Sequence, residues 1–248
     1  MAVAAPERRR GAVPGRAQEG SRASAAAPPG LPASLPGPRG PSRGGGGLVV
    51  GVDEAGRGPW AGPVVAAAVA VGPGARRLRR GVTDSKQLSA QQREQVYEML
   101  TCNPAVRWSV ATASHKRIDR ANILRATLQA MARAVRRLDC GVAKVLIDGN
   151  HVPAQLSADH PCEAVVGGDR RRFVIAAASI IAKVTRDRLM TKLDKKYPQY
   201  GFAVHKGYGT ALHRRALVRH GVSKVHRCSF EPIKGFLKHG KWGKRAVE

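Results

Sequence analysis

Three apolar runs that each lead into an aspartate constrain this chain more than any other feature. Leu48-Val49-Val50-Gly51-Val52 runs into Asp53, Lys144-Val145-Leu146-Ile147 into Asp148, and Ala164-Val165-Val166, through Gly167-Gly168, into Asp169. Short apolar runs bounded by turn residues read as buried strands. Two further strands are expected at Val64–Val71, entered through Gly62-Pro63, and at Trp108–Thr112. Helical patterns fall between them. Ser89-Ala90-Gln91-Gln92 is a capping-box pattern opening a helix whose apolar face carries Val96, Met99 and Leu100. Ile118–Leu138 has helical period, Phe173–Leu193 reads as one long helix, and shorter helices are expected near Thr210–His220 and Ile233–Leu237. Strands and helices interleaved in this way imply an α/β fold with a central mixed sheet flanked by helices, closed by a C-terminal helical segment.

The acids carry the chemistry. Asp53 and Glu54 are adjacent at the end of an apolar strand, where a charge buried without a cation is costly. A lone aspartate there would be read as a turn cap, and Asp169 has the position of a helix N-cap. A second strand delivering Asp148 to the same sheet edge changes the weighing, because two or more carboxylates can then lie side by side. Asp53, Glu54, Asp148 and Asp169 together are candidate ligands for two divalent cations. Oxygen ligands suit Mg²⁺ or Mn²⁺. Two such ions ~3.5–4 Å apart activate a water and stabilise the leaving oxygen in phosphodiester cleavage.

Charge names the kind of partner. Lys and Arg number 43 against 17 acids, a formal net charge of +26. Such an excess favours a polyanion, and no apolar run approaches the ~20 residues that span a bilayer. Residues 1–47 are Ala, Pro, Gly, Ser and Arg, with seven Arg and two Glu, and read as a disordered basic tail. The expected layout is this tail, a folded domain at 48–238 and a basic C-terminal tail at 239–248. Cys102, Cys140, Cys162 and Cys228 form no CxxC pair. No apolar stretch follows Arg8-Arg9-Arg10, and a cytoplasmic, monomeric protein is expected. No pair of histidines has zinc spacing with a third ligand, so none is assigned a role.

These motifs, read in order, resemble the bacterial type 2 ribonucleases H, the ribonuclease HII family. The resemblance rests on DEAGRGP at Asp53–Pro59, DSKQL at Asp84–Leu88, IDGN at Ile147–Asn150 and AAASIIAKVTRDRLM at Ala176–Met190. PQYGFAVHKGYGT at Pro198–Thr210 and HRCSFEP at His226–Pro232 complete it. It implies a ribonuclease H-like fold and endonucleolytic hydrolysis of RNA–DNA hybrid duplexes and of DNA containing ribonucleotides, leaving 5′-phosphate and 3′-hydroxyl. It also implies that Asp53, Glu54, Asp148 and Asp169 hold the metal. Gly56-Arg57-Gly58, whose glycines allow close backbone approach, would read the 2′-hydroxyl that separates RNA from DNA. Tyr208 would stack on the sugar after the ribonucleotide. Lys86 and Lys183 are candidate phosphate contacts, and Asp187 reads as a supporting acid.

Three other readings are weaker. A non-catalytic basic RNA- or DNA-binding protein explains the charge but not three acidic strand ends. The type 3 ribonucleases H usually lack the Gly-Arg-Gly triplet and carry a folded N-terminal domain, for which 1–47 is too short. The chain has neither the nucleophile elbow of an α/β hydrolase nor a Walker loop.

Overall fold

The computed structural model describes residues 47–73, 78, 88–138, 140–240 and 242. The expectations for residues 1–46, for Lys86 and for most of the C-terminal tail lie outside the described residues. Among those described, the strands are β1 Leu48–Ala55, β2 Val64–Val71, β3 Val106–Ala113, β4 Val142–Asp148 and β5 Cys162–Val165. They form one mixed sheet in the order β3-β2-β1-β4-β5. β1 pairs antiparallel with β2 and parallel with β4. The helices are α1 Ala90–Thr101, α2 His115–Ala121, α3 Ile123–Arg136, α4 Ala154–Ser157, α5 Gly168–Arg171, α6 Phe173–Lys196, α7 Phe202–His205, α8 Ala211–His220 and α9 Ile233–His239.

The layers follow from which side chains each strand sends to which face. Successive side chains of a strand point to opposite faces. Val64, Ala66, Ala68 and Ala70 join Val50, Val52, Val145 and Ile147 against α3. Val65, Ala67 and Val69 face α1 and α6 instead. β2 is therefore apolar at every position, because both of its faces are covered. Each fully buried Leu or Ile contributes about 1.5–3 kcal/mol, so Ile118, Ile147 and Leu156 anchor one layer and Leu100, Ile180 and Ile181 the other. α6 presses its own backbone onto β1 at Gly51, where a methyl group would overlap the Val174 carbonyl. That contact seats the start of α6 beside the end of β1. A third cluster, containing Ala61, Met190, Tyr200, Phe202, Leu217 and Ile233, ties the C-terminal helices to the loop after β1.

Three elements differ from expectation. The Ile118–Leu138 helix is broken at Asn122, whose φ of 65° and ψ of 165° leave the helical region. Asn tolerates positive φ, and its side chain accepts from the Arg125 N–H, so it restarts the helix as α3. β5 begins two residues before the apolar run and ends one residue before its end, since it pairs Cys162–Val165 with β4 and leaves Val166 exposed. β1 continues past Val52 to Ala55, because β2 still pairs with it there. The capping box forms as read, with Ser89 accepting from Gln92 N and Gln92 accepting from Ser89 N.

Candidate active site

Strand register brings the first acids together. β1 and β4 pair in parallel with Gly51 opposite Leu146 and Val52 opposite Ile147, so the next residues along the two strands are Asp53 and Asp148. Adjacent strands lie about 4.8 Å apart and residues in register point to the same face. That face is the one covered by α6. Asp53 is buried and bonded to Ser179 of α6, and one of its oxygens accepts the Glu54 N–H at 2.7 Å. Its carboxyl is raised well above the ordinary range, first by burial, then by the charges of Glu54 and Asp148. An Asp148 oxygen accepts the Gly168 N–H at 2.7 Å. The bond brings the start of α5 against Asp148, with buried Asp169 the next residue.

Glu54 points to the other face. With Asp148, Arg57 and Asn150 it lines a groove whose far wall is Leu124 and Leu128 of α3. Among the described residues, no three Asp, Glu, His or Cys side chains already stand as a metal cage. The donor chemistry nevertheless suits a hard divalent cation. Glu54 and Asp148 raise the proton affinity of buried Asp53, and a cation among the three would reverse that effect.

The other sequence candidates fall in two places. Arg57 reaches back to Glu54 at 3.7 Å and is half exposed, a pair worth no more than about 1 kcal/mol. Gly56 needs its glycine: φ is +95°, and a methyl there would overlap the Arg186 side chain. Gly58 faces Tyr208, with only 3.7 Å between a methyl placed on it and Tyr208 Cε1. The triplet and Tyr208 are therefore neighbours, although 150 residues of sequence separate Gly58 from Tyr208. Tyr208 is 45% exposed, leaving its ring open to a ligand. Lys183 sits one helical turn beyond Ser179, and Asp187, one turn further, holds its ammonium at 2.9 Å.

Sequence reasoning passed over the groups that hold this loop. Arg227 is fully buried and donates to the carbonyls of Gly56 (2.6 Å), Arg57 (2.7 Å) and Gly62 (3.1 Å). Arg186, also buried, donates to those of Ala61 and Pro63. Burial, and then the charge of Arg186, pull Arg227 down to about 9, so it is still cationic at neutral pH.

The histidines that carried no spacing signal form a buried chain behind Tyr208. Ser223 N–H donates to His226 Nδ1, which leaves the His226 hydrogen on Nε2, 3.0 Å from His213 Nε2. His213 Nδ1–H then donates to the Tyr208 carbonyl at 2.9 Å. Burial lowers His213 to about 3 and His226 to about 4, so both are neutral imidazoles.

With this geometry in hand, the family model for ribonuclease HII matches residues 50–233. The chain belongs to the ribonuclease HII family. It is 50% identical over 187 residues to the ribonuclease HII of Coxiella burnetii, covering 75% of this chain and 90% of that protein. It is 53% identical over 199 residues to that of Halorhodospira halophila, covering 79% and 98%. The crystal structure of the ribonuclease H2 from Pyrococcus horikoshii superposes with a TM-score of 0.64 at 29% identity, covering 77% of this chain and 97% of that one. The fold is thus α/β and ribonuclease H-like. As a ribonuclease HII the chain is an endoribonuclease of RNA–DNA hybrids. Among the described residues, no helix is long and apolar enough to cross a membrane.

Proposed function

We propose that this ribonuclease HII hydrolyses the RNA strand of hybrids and also cuts on the 5′ side of ribonucleotides embedded in duplex DNA, using two divalent cations. Asp53, Glu54, Asp148 and Asp169 are the ligands in this reading, and Mg²⁺ or Mn²⁺ the ions. The observation that carries it is the register of β1 and β4, which follows Val52 and Ile147 with Asp53 and Asp148 beside Glu54. When bound, the cations would lower the pKa of the attacking water and stabilise the charge building on the phosphate.

The residues of the chain do the rest. Ser179 and the Glu54 N–H orient Asp53 and oppose the rise of its pKa, and the Gly168 N–H orients Asp148. Water adds to phosphorus and the P–O3′ bond breaks, leaving a 3′-hydroxyl on the preceding nucleotide and a 5′-phosphate on the ribonucleotide. Gly56-Arg57-Gly58 contacts the 2′-hydroxyl through its backbone, so one ribose suffices. Tyr208, exposed beside Gly58, stacks on the following sugar and favours deoxyribose there. Arg57, Lys183 and Lys86 contact phosphates in this reading, with Arg57 exchanging Glu54 for the substrate.

Cleavage-site mapping on a duplex with one ribonucleotide tests the proposal. The cut is expected at the phosphodiester immediately 5′ of the ribose, and only with a divalent cation present. A cut 3′ of the ribose, or cleavage in excess chelator, contradicts it. Tyr208→Ala removes the stacking surface but no ligand. It should slow the single-ribonucleotide duplex about tenfold, the share of about 1–3 kcal/mol assigned to one stacked base, and an all-RNA strand less. An unchanged ratio of the two rates would make Tyr208 a loop residue only.

A further inference from the structure

The loop from Gly56 to Pro63 is shaped less by its own hydrogen bonds than by two buried arginines from distant segments. Arg227 takes three of its carbonyls, Gly56, Arg57 and Gly62, and Arg186 takes those of Ala61 and Pro63. The backbone around Arg227 is fixed in turn. Its N–H donates to Trp60 O, and His226 bridges to Ala61. The guanidinium also lies 5.0 Å from the Phe230 ring centre.

Peptide geometry converts this into a statement about the opposite side of the loop. The peptides of this loop are trans, the cis bond of the described chain being Glu231–Pro232. In a trans peptide the C=O and the following N–H point in opposite directions. Since the carbonyls of Gly56 and Arg57 both turn to Arg227, the N–H groups of Arg57 and Gly58 both turn away from it. Gly58 is also the residue against which Tyr208 lies.

We propose that Arg227 is a positioning residue for ribose discrimination, holding the two peptide planes through which Gly56-Arg57-Gly58 presents its N–H donors to a 2′-oxygen. The inference rests on the reading that this triplet recognises the ribose. No other side chain type replaces the arrangement. Arg offers a planar fork of five donors, whereas Lys offers one compact ammonium, which cannot reach three carbonyls pointing in from two strands of a loop. Losing the fork frees the Gly56 and Arg57 peptides to rotate, and a misplacement of ~1 Å at a recognition group costs about 10²-fold.

The test uses the full chain with Arg227→Lys, and Arg227→Gln as a second variant that buries no new charge. Binding is measured in an Asp148→Asn background, to a duplex with one ribonucleotide and to the same duplex in all-DNA form. Cleavage is measured with Asp148 intact, with kcat and KM separated. Thermal unfolding confirms that each variant is folded at the assay temperature.

The expected result is loss of the ribonucleotide-over-DNA binding preference with the all-DNA affinity unchanged. kcat on the single-ribonucleotide duplex should fall about 10²-fold, KM rising by no more than the lost binding preference because the phosphate contacts remain. If either folded variant keeps both the preference and kcat, Arg227 is structural only and the inference is overturned. A drop of all-DNA affinity equal to that of the ribonucleotide duplex overturns it as well, since the effect would then be general. If Arg227 is intact and the enzyme still binds the two duplexes equally, the failure belongs to the ribose reading of the triplet.

Discussion

The acidic end of β1 and the loop that follows it are neighbours in sequence and opposites in electrostatic design. At Asp53, burial and the charges of Glu54 and Asp148 act in one direction, each raising the carboxyl pKa. At Arg227 and Arg186 the buried charges are cations, and five backbone carbonyls surround them. A buried charge needs a partner in either case. The loop supplies its own from the backbone and is complete without a ligand. The acids at Asp53 have hydrogen bonds, but the neighbouring carboxylates add negative charge, and in the proposed reading bound cations offset it. On that reading one region receives cations and the adjoining one stays fixed.

The largest expected effect breaks the receiving side. Asp148→Asn keeps the oxygen that accepts the Gly168 N–H but removes a ligand charge. Cleavage should fall on the order of 10³-fold or more, about 4 kcal/mol of transition-state stabilisation, while duplex binding holds or tightens. Because Asp148 is one of the charges raising Asp53, the same variant should unfold at a higher temperature than wild type in chelator. A fall in stability there would mean the acids are not repelling one another.

Acid should loosen the holding side next. His213 and His226 have folded-state pKa values of about 3 and about 4, below the ordinary 6.5, so the unfolded chain takes up protons first as pH falls. Their contribution is complete above pH 6.5 and is lost as pH falls towards 4. At about 1.4 kcal/mol per unit, His226 alone accounts for about 3 kcal/mol over that window. Asp53 works in the opposite sense, its raised pKa favouring the folded state in acid. Thermal midpoints in chelator should drop by several degrees between pH 7 and pH 4.5. A flat profile would contradict the neutral imidazole chain.

The smallest effect concerns the arginine-rich N-terminal segment. Removing residues 1–43 takes away seven arginines and should flatten the salt dependence of binding. The slope should fall by about 0.9 log units per log unit of salt for each phosphate released. The position of the cut should stay the same. A shifted cut would place the segment within the active site.

Much of this architecture was legible in sequence because it rests on local signals. Apolar runs marked the strands, the capping box marked α1, and aspartates marked the sheet edge where β1 and β4 end. Asn122 was not legible, since a helical period continues through it and only its backbone angles end α2. Arg186 and Arg227 were hidden for a different reason. Arginine in a basic chain reads as a surface residue, and nothing local shows that its fork will meet carbonyls over a hundred residues away. The histidine chain likewise joins residues 13 apart, at no ligand spacing.

The most direct test of the contrast between the two regions is thermal unfolding with rising Mn²⁺, at neutral pH and without nucleic acid. The measurement compares wild type, Asp148→Asn and Arg227→Lys. A ligand that binds only the folded state raises the midpoint with its concentration. Wild type and Arg227→Lys should rise together from their different starting points, while Asp148→Asn rises little or not at all. Equal rises in wild type and Asp148→Asn would show that the cation binds elsewhere, and the acidic strand ends would lose their claim to be the receiving site.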